Sequence, residues 1–204
     1  MHQTLLHETF GGTALNPALR WLNPPPGWRL DPATSRLVVH TAAETDFWQR
    51  THYGFRGDNG HFLYTKVAGD AAITAKIHSY PAHQYDQAGL MLRFSSECWL
   101  KASVEFEPEG PSQLGAVVTN YGYSDWSLQD FVSDGSLVYC LRIRRDGEDC
   151  FVEYAADLEG PWRLFRLARL SVEPGTPALA GFYACSPKGP GYRAEAEHLR
   201  IELL

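Results

Sequence analysis

Lys101, Ser103 and Glu105 occupy every second position of a short alternating stretch, Trp99-Leu100-Lys101-Ala102-Ser103-Val104-Glu105. A strand sends successive side chains to opposite faces. An ammonium, a hydroxyl and a carboxylate therefore share one face with the Trp99 indole, while Leu100, Ala102 and Val104 supply a core face. Such a polar face suits hydrogen bonding to a hydroxyl-rich ligand, and an indole stacks on the apolar side of a sugar ring. The same residues also suit acid–base work by Glu105 tuned by Lys101. At the rise of a strand Lys101 and Glu105 lie roughly 13 Å apart, too far to pair directly. The stretch just before, Tyr85-Asp86-Gln87-Ala88-Gly89-Leu90-Met91-Leu92-Arg93, alternates as well and is expected to bring Gln87, Met91 and Arg93 alongside.

Other constellations carry weaker chemistry. Glu105, Glu107 and Glu109 alternate, and same-face carboxylates about 6.6 Å apart are compatible with glycoside hydrolysis. Pro108 and Gly110 end the strand, however, so Glu107 and Glu109 read as turn residues. Ser124-Asp125-Trp126-Ser127, after Thr119-Asn120-Tyr121-Gly122-Tyr123, reads as an aromatic loop at the rim of a groove, or as a plug for its end. No G-x-S-x-G elbow is present and no His is tied to a Ser, so a hydrolase triad is not indicated. His78, His83 and Asp86 do not have a diagnostic metal spacing, and no metal or cofactor is expected.

The elements that must position these residues are strands. Gly 18 and Pro 13 punctuate a chain of 204 residues that is 13% aromatic, a composition of turns rather than disorder. Strands are expected at 5–10, 19–23, 36–40, 61–68, 71–80, 87–95, 98–107, 113–119, 137–145, 149–156, 162–169, 178–186 and 192–204, separated by turn signals that include Asp134-Gly135 and Pro174-Gly175. About 13 or 14 short strands at a regular beat predict a single all-β domain over 1–204, two antiparallel sheets packed as a sandwich. Only 195–200 gives an ambiguous helical period. Asp146-Gly147 predicts a two-residue hairpin turn that pairs Ile143 with Cys150 and Leu141 with Val152. Cys140 and Cys150 then face opposite ways, and Arg142, Arg144 and Glu153 share a charged face that would extend the one carrying Lys101.

A net charge of −6 disfavours nucleic acid or an anionic membrane surface as the main partner. No stretch of 18 apolar residues and no signal sequence are seen. Four cysteines without metal or C-x-x-C spacing read as reduced, buried thiols, which makes the expected location cytoplasmic.

Several spaced segments together carry a family resemblance: Asp46-Phe47-Trp48, Tyr85-Asp86-Gln87-Ala88-Gly89-Leu90-Met91, Trp99-Leu100-Lys101 with Glu105, Val117-Val118-Thr119-Asn120 and Ser124-Asp125-Trp126-Ser127. Over residues 4–204 the chain resembles a family of roughly 200-residue proteins of unknown function related to the "regulation of enolase" protein, among the concanavalin A-like lectins and glucanases. The resemblance implies a jelly roll with a concave front sheet and carries no established activity, so function does not follow from it. The reading at this level is a non-catalytic carbohydrate, phosphosugar or polyol-binding module. Its expected contacts are Tyr85, Asp86, Gln87, Arg93, Trp99, Lys101, Glu105, Thr119, Asp125 and Trp126. The alternatives are a protein-interaction or regulatory module docking through the aromatic segment 47–55, and a sugar hydrolase or isomerase using Glu105.

Overall fold

The computed structural model describes residues 3–132, 137–173 and 175–204, so the Asp134-Gly135 turn signal and Pro174 lie outside the described residues. Among the described residues there are seventeen strands: β1 Gln3–Glu8, β2 Arg20–Leu22, β3 Gly27–Asp31, β4 Arg36–His40, β5 Phe47–Gln49, β6 Arg56–Asp58, β7 His61–Val67, β8 Ala71–Tyr80 and β9 Gln87–Ser95, followed by β10 Cys98–Glu105, β11 Gln113–Asn120, β12 Tyr123–Asp130, β13 Leu137–Asp146, β14 Asp149–Ala155, β15 Arg163–Arg169, β16 Ala178–Cys185 and β17 Arg193–Leu203. The back sheet runs β15-β14-β13-β8-β17-β4-β3, with β1 also paired to β17. The front sheet runs β12-β11-β10-β9-β16-β7-β2, and β5 and β6 form a separate hairpin. The result is a jelly-roll sandwich, and the described residues contain no helix.

Alternation builds the layers. Leu100, Ala102 and Val104 of β10 meet Leu90, Leu92, Ala180 and Phe182 on the inner side of the front sheet, and Ile73, Ile77, Leu141, Ile143 and Val152 on that of the back sheet, in one fully buried cluster. Burying each large aliphatic or aromatic side chain contributes about 1.5–3 kcal/mol. The two sheets are also tied by a polar link, the Tyr139 hydroxyl on β13 donating to the Ala88 carbonyl on β9 at 2.8 Å.

Four strands are not anticipated by the alternating pattern. β5 and β6 have three residues each, too short for any period to show. β3 is an edge strand that starts directly after three prolines, a position prolines tolerate. Residues 123–130, read from sequence as a rim loop, form edge strand β12; its polar residues face solvent, which disguises the alternation. The helix-like spacing near 195–200 is a β-bulge. The register of β17 against β8 shifts between Ala196 and His198, so the buried residues Ala194, Ala196, Leu199 and Ile201 step by two, three and two.

The β13–β14 hairpin turns one residue later than the Asp-Gly signal predicted. Asp146 pairs with Asp149, so Ile143 faces Val152 rather than Cys150, and Arg142 faces Glu153. The parity survives: Arg142 and Arg144 both donate to Glu153, at 2.7 and 3.1 Å. They lie on the outer face of the back sheet, however, and do not extend the face that carries Lys101. All four cysteines are free.

Candidate functional site

The polar face of β10 is not an open floor. The β5–β6 hairpin folds over it, and Phe47 and Trp48 close a second apolar cluster with Phe62, Met91, Trp99, Val117, Tyr183 and Cys185. Trp99 is 0% exposed and stands edge-on to Phe47, with centroids 6.3 Å apart. It is core beneath the hairpin, not a stacking platform. Polar contacts pin the hairpin down. Arg93 grips Asp58 through two hydrogen bonds of 2.6 and 2.8 Å, a forked geometry that suits guanidinium and carboxylate. Lys101 Nζ donates to Asp46 at 3.1 Å. Thr119 shares a 2.8 Å hydrogen bond with Ser124, whose hydroxyl accepts the Gln49 amide at 2.9 Å.

Between the hairpin and the sheet lies a pocket of about 650 Å³. Its floor includes Asp46, Gln87, Lys101 and Glu105, its walls Trp48, Tyr53, Phe55, Tyr85 and Trp126. The wall rings form a continuous set: Trp48 packs on Tyr53, Phe55 and Trp126, and Trp126 packs on Tyr85, with centroids 5.6–6.5 Å apart. Tyr85 sits at a φ of 68°, a left-handed conformation that is strained for a bulky side chain. Its amide bonds to the Phe106 carbonyl just past β10, so the strain turns the ring-bearing corner toward the mouth.

Of the ten residues expected from sequence, the pocket brings together Tyr85, Gln87, Lys101, Glu105 and Trp126. Arg93, Trp99 and Thr119 instead hold the hairpin. Asp86 is fully buried and accepts from the amides of Ala82 and His83 and from the Ser186 hydroxyl, closing a loop. Asp125 has the opposite parity to Trp126 and pairs with Arg166 of β15 at 2.5 Å. The sequence reading missed Asp46, Trp48, Tyr53, Phe55 and Asp58 as pocket residues. The aromatic richness of 47–55 was the available signal, because so many rings in one loop need a surface to cover.

Lys101 and Glu105 form no ion pair with each other, as their spacing on the strand implied; Gln87 of β9 is the neighbour of both. The register sets Glu105 directly opposite Gln87, where facing Cβ atoms are about 5 Å apart. The Lys101 side chain runs along the strand, and its ammonium donates to Gln87 Oε1 at 3.0 Å. Tyr183 donates to the same oxygen at 2.9 Å. Burial is the largest influence and works against the Lys101 charge, but the negative groups around it, Asp46 first and then Cys185 and Glu105, together outweigh burial, and the ammonium titrates above its ordinary range. Glu105 is 4% exposed, and its carboxyl accepts no hydrogen bond from the described residues. Burial pushes it up to about 7; Lys101 opposes that rise, and Asp46 and Glu107 add to it.

The stability of the fold therefore depends on pH through Glu105. A carboxyl whose folded pKa exceeds its unfolded value near 4.5 binds the proton more tightly when folded. Its contribution is complete below about pH 4.5 and is lost as pH rises to about 7. Glu105→Gln keeps the shape without the charge. Urea unfolding is expected to show the variant on the order of 3 kcal/mol more stable than the parent at pH 8, with the difference gone at pH 4.5. A pH-independent difference would count against the buried carboxyl as its cause.

Among the described residues no three His, Cys, Asp or Glu side chains come together as a metal site. His78, on the outer face of the back sheet, pairs with Glu197 at 2.6 Å. None of the described helices, of which there are none, could cross a membrane.

Comparison with known proteins agrees with the architecture. The chain is 33% identical over 175 residues to "Regulation of enolase protein 1" of Saccharomyces cerevisiae, covering 85% of this chain and 83% of that one. A crystal structure of a functionally unknown protein from Saccharomyces cerevisiae superposes with a TM-score of 0.82 at 30% identity, over 90% of this chain and 95% of that one. A xylan beta-1,4-xylosidase from Bacillus halodurans C-125 shares the fold, with a TM-score of 0.74 at 14% identity; 96% of this chain corresponds to 38% of the xylosidase. The family described as "Protein of unknown function (DUF1349)" matches residues 21–203, and the chain belongs to it.

Proposed function

We propose that the pocket under the β5–β6 hairpin binds a small hydroxyl-rich molecule, a sugar or polyol, without transforming it. The observation that carries this reading is Glu105: a carboxyl more than nine-tenths buried and without a hydrogen-bond donor among the described residues, facing a pocket walled by aromatic rings. A carboxyl so enclosed is stripped of most of its water, and a ligand that brings donors to its pocket-facing oxygens offsets that cost. The rings supply the apolar contact that a pyranose or an extended polyol needs. An anionic group such as a phosphate fits less well, because the buried cations nearby, Lys101 and Arg93, are already engaged by Asp46 and Asp58. Free, mostly buried thiols are consistent with a reducing, cytoplasmic setting for this activity.

Titration with a panel of sugars and polyols, followed by calorimetry, tests the reading. Trp126→Ala is expected to weaken binding at least about tenfold, the loss of one stacking contact, with an unchanged circular dichroism spectrum. If no sugar or polyol binds the parent protein at millimolar concentration, the reading is wrong.

A second reading, a regulatory module that docks a protein, draws on the name of the yeast relative and on the exposed rings at the hairpin end of the sheet, Tyr53, Phe55, Tyr121 and Tyr123. It is separated from the first by Phe55→Ser, which should release a captured stoichiometric partner while Glu105→Gln does not.

A further inference from the structure

We propose that the pocket selects hydroxyl-rich ligands that carry a protonated amine, such as an amino sugar or amino polyol, with Glu105 as counter-ion and the aromatic wall against the ammonium. The inference rests on the sugar or polyol reading above and names the class of ligand within it.

Charge balance is the first argument. Asp46 engages Lys101 and Asp58 engages Arg93, so each of these pairs is internally neutral. Glu105 ionised then leaves one uncompensated negative charge on the floor. At the rim, Glu44 and Lys188 contribute one charge of each sign, and the exposed Arg56 reaches Glu97 at 3.8 Å, sharing it with Arg50 at 3.0 Å, outside the floor. The second argument is the wall. Five rings, Tyr53, Phe55, Trp48, Trp126 and Tyr85, adjoin one another around the same space, and aromatic faces attract a desolvated cation. Carboxylate and aromatic faces in one enclosed pocket form an environment in which an ammonium is more stable than a neutral hydroxyl.

The empty pocket answers the same imbalance with a proton, since Glu105 is raised to about 7. Every charged or titratable group against it fits that picture. Lys101 on its own strand stabilises the ionised form, and Asp46 under the hairpin and Glu107 past the strand end destabilise it. Tyr85 beside β9, and Tyr183 and Cys185 on β16, also feel its charge and are held in their neutral forms by burial. An ammonium entering the pocket takes over the role of that proton, so binding near pH 7 releases about half a proton per ligand.

The test compares glucamine with sorbitol, which differ by an amine in place of one hydroxyl, by calorimetry at pH 8 and constant ionic strength. Glucamine is expected to bind at least tenfold more tightly. Its affinity should fall about fivefold between pH 7 and pH 6, and repetition in buffers of different ionisation enthalpy near pH 7 should show proton release. In Glu105→Gln the two ligands should bind alike. Equal affinities in the parent protein, or a preference that survives Glu105→Gln, would overturn the inference and leave the sugar or polyol reading intact. Failure of both compounds, together with the whole sugar and polyol panel, would remove the two together.

Discussion

Gly89→Ala is expected to destabilise the protein by about 3 kcal/mol or more, lowering the thermal midpoint by roughly 6–12 °C for a chain of this size. Gly89 lies in β9, at the centre of the front sheet, and a Cβ built there would fall 1.8 Å from the Ala102 carbonyl oxygen and 2.8 Å from its carbon. The obstacle is backbone, not the end of a flexible side chain, so only a shift of β10 against β9 can relieve it. That shift would disturb the ladder that sets Lys101 opposite Met91 and Glu105 opposite Gln87. Gly181 on neighbouring β16 has the same problem, 2.0 Å from the Leu63 carbonyl oxygen. Both glycines share the pocket face, and both let adjacent backbones approach closely beneath the hairpin. Thermal unfolding followed by circular dichroism measures the loss. A midpoint within about 2 °C of the parent for Gly89→Ala would show that the strands can separate without cost.

Lys101→Met is the second large effect, expected at about 3 kcal/mol at pH 8. The methionine keeps most of the buried aliphatic volume, which separates lost charge from lost packing. Gln87 retains the Tyr183 hydroxyl, and Asp46 retains its hydrogen bond from the Phe47 amide, so neither is left bare. What remains is two carboxylates, Asp46 and Glu105, that repel each other without the Lys101 charge to offset them. The Glu105 carboxyl should therefore move further up than about 7, because the largest influence holding it down is Lys101. Carbon-13 chemical shifts of the Glu105 carboxyl against pH measure this directly. In a Glu105→Gln background the cost of Lys101→Met at pH 8 should shrink, and the double-mutant cycle isolates the coupling. Additive costs would mean that Lys101 serves only Asp46.

The way each part of the site was encoded explains how much of it could be read. The faces of β9 and β10 were legible because strand alternation is a strict period of two. It placed Gln87, Lys101 and Glu105 together from residue order alone, and the turn chemistry gave the sandwich. What covers that face was not legible. The lid is made by two three-residue strands from a segment some 40 residues upstream of the sheet it covers, and no local period links Phe47 to Trp99 or Asp58 to Arg93. For the same reason Trp99 looked like an exposed platform. An indole on a polar face is unexpected until the hairpin that buries it is known. Asp125 and Trp126 were assigned together because they adjoin, yet strand parity sends one to Arg166 and the other to the pocket. The separation of Lys101 from Glu105 was legible too, since the strand rise puts them too far apart to pair; the carboxylate that Lys101 does find, Asp46, comes with the hairpin and was not legible.

The strand order has a consequence for how the molecule is made. β16 lies between β9 and β7 in the front sheet, and β17 lies between β8 and β4 in the back sheet while also pairing β1. Both sheets are thus completed in their interiors by the segment 178–204, which follows all their other strands. During synthesis, β7, β8 and β9 emerge with their partner edges open, and neither half of the sandwich can close as a smaller stable unit. Closure must await β16 and β17 and then proceed in both sheets together, which makes assembly a non-local event. The nascent chain carries open, apolar edges of the kind that chaperones shield. The pocket floor is subject to the same timetable, since Gln87 is held by Tyr183 of β16 and acquires that support only after β16 has been made.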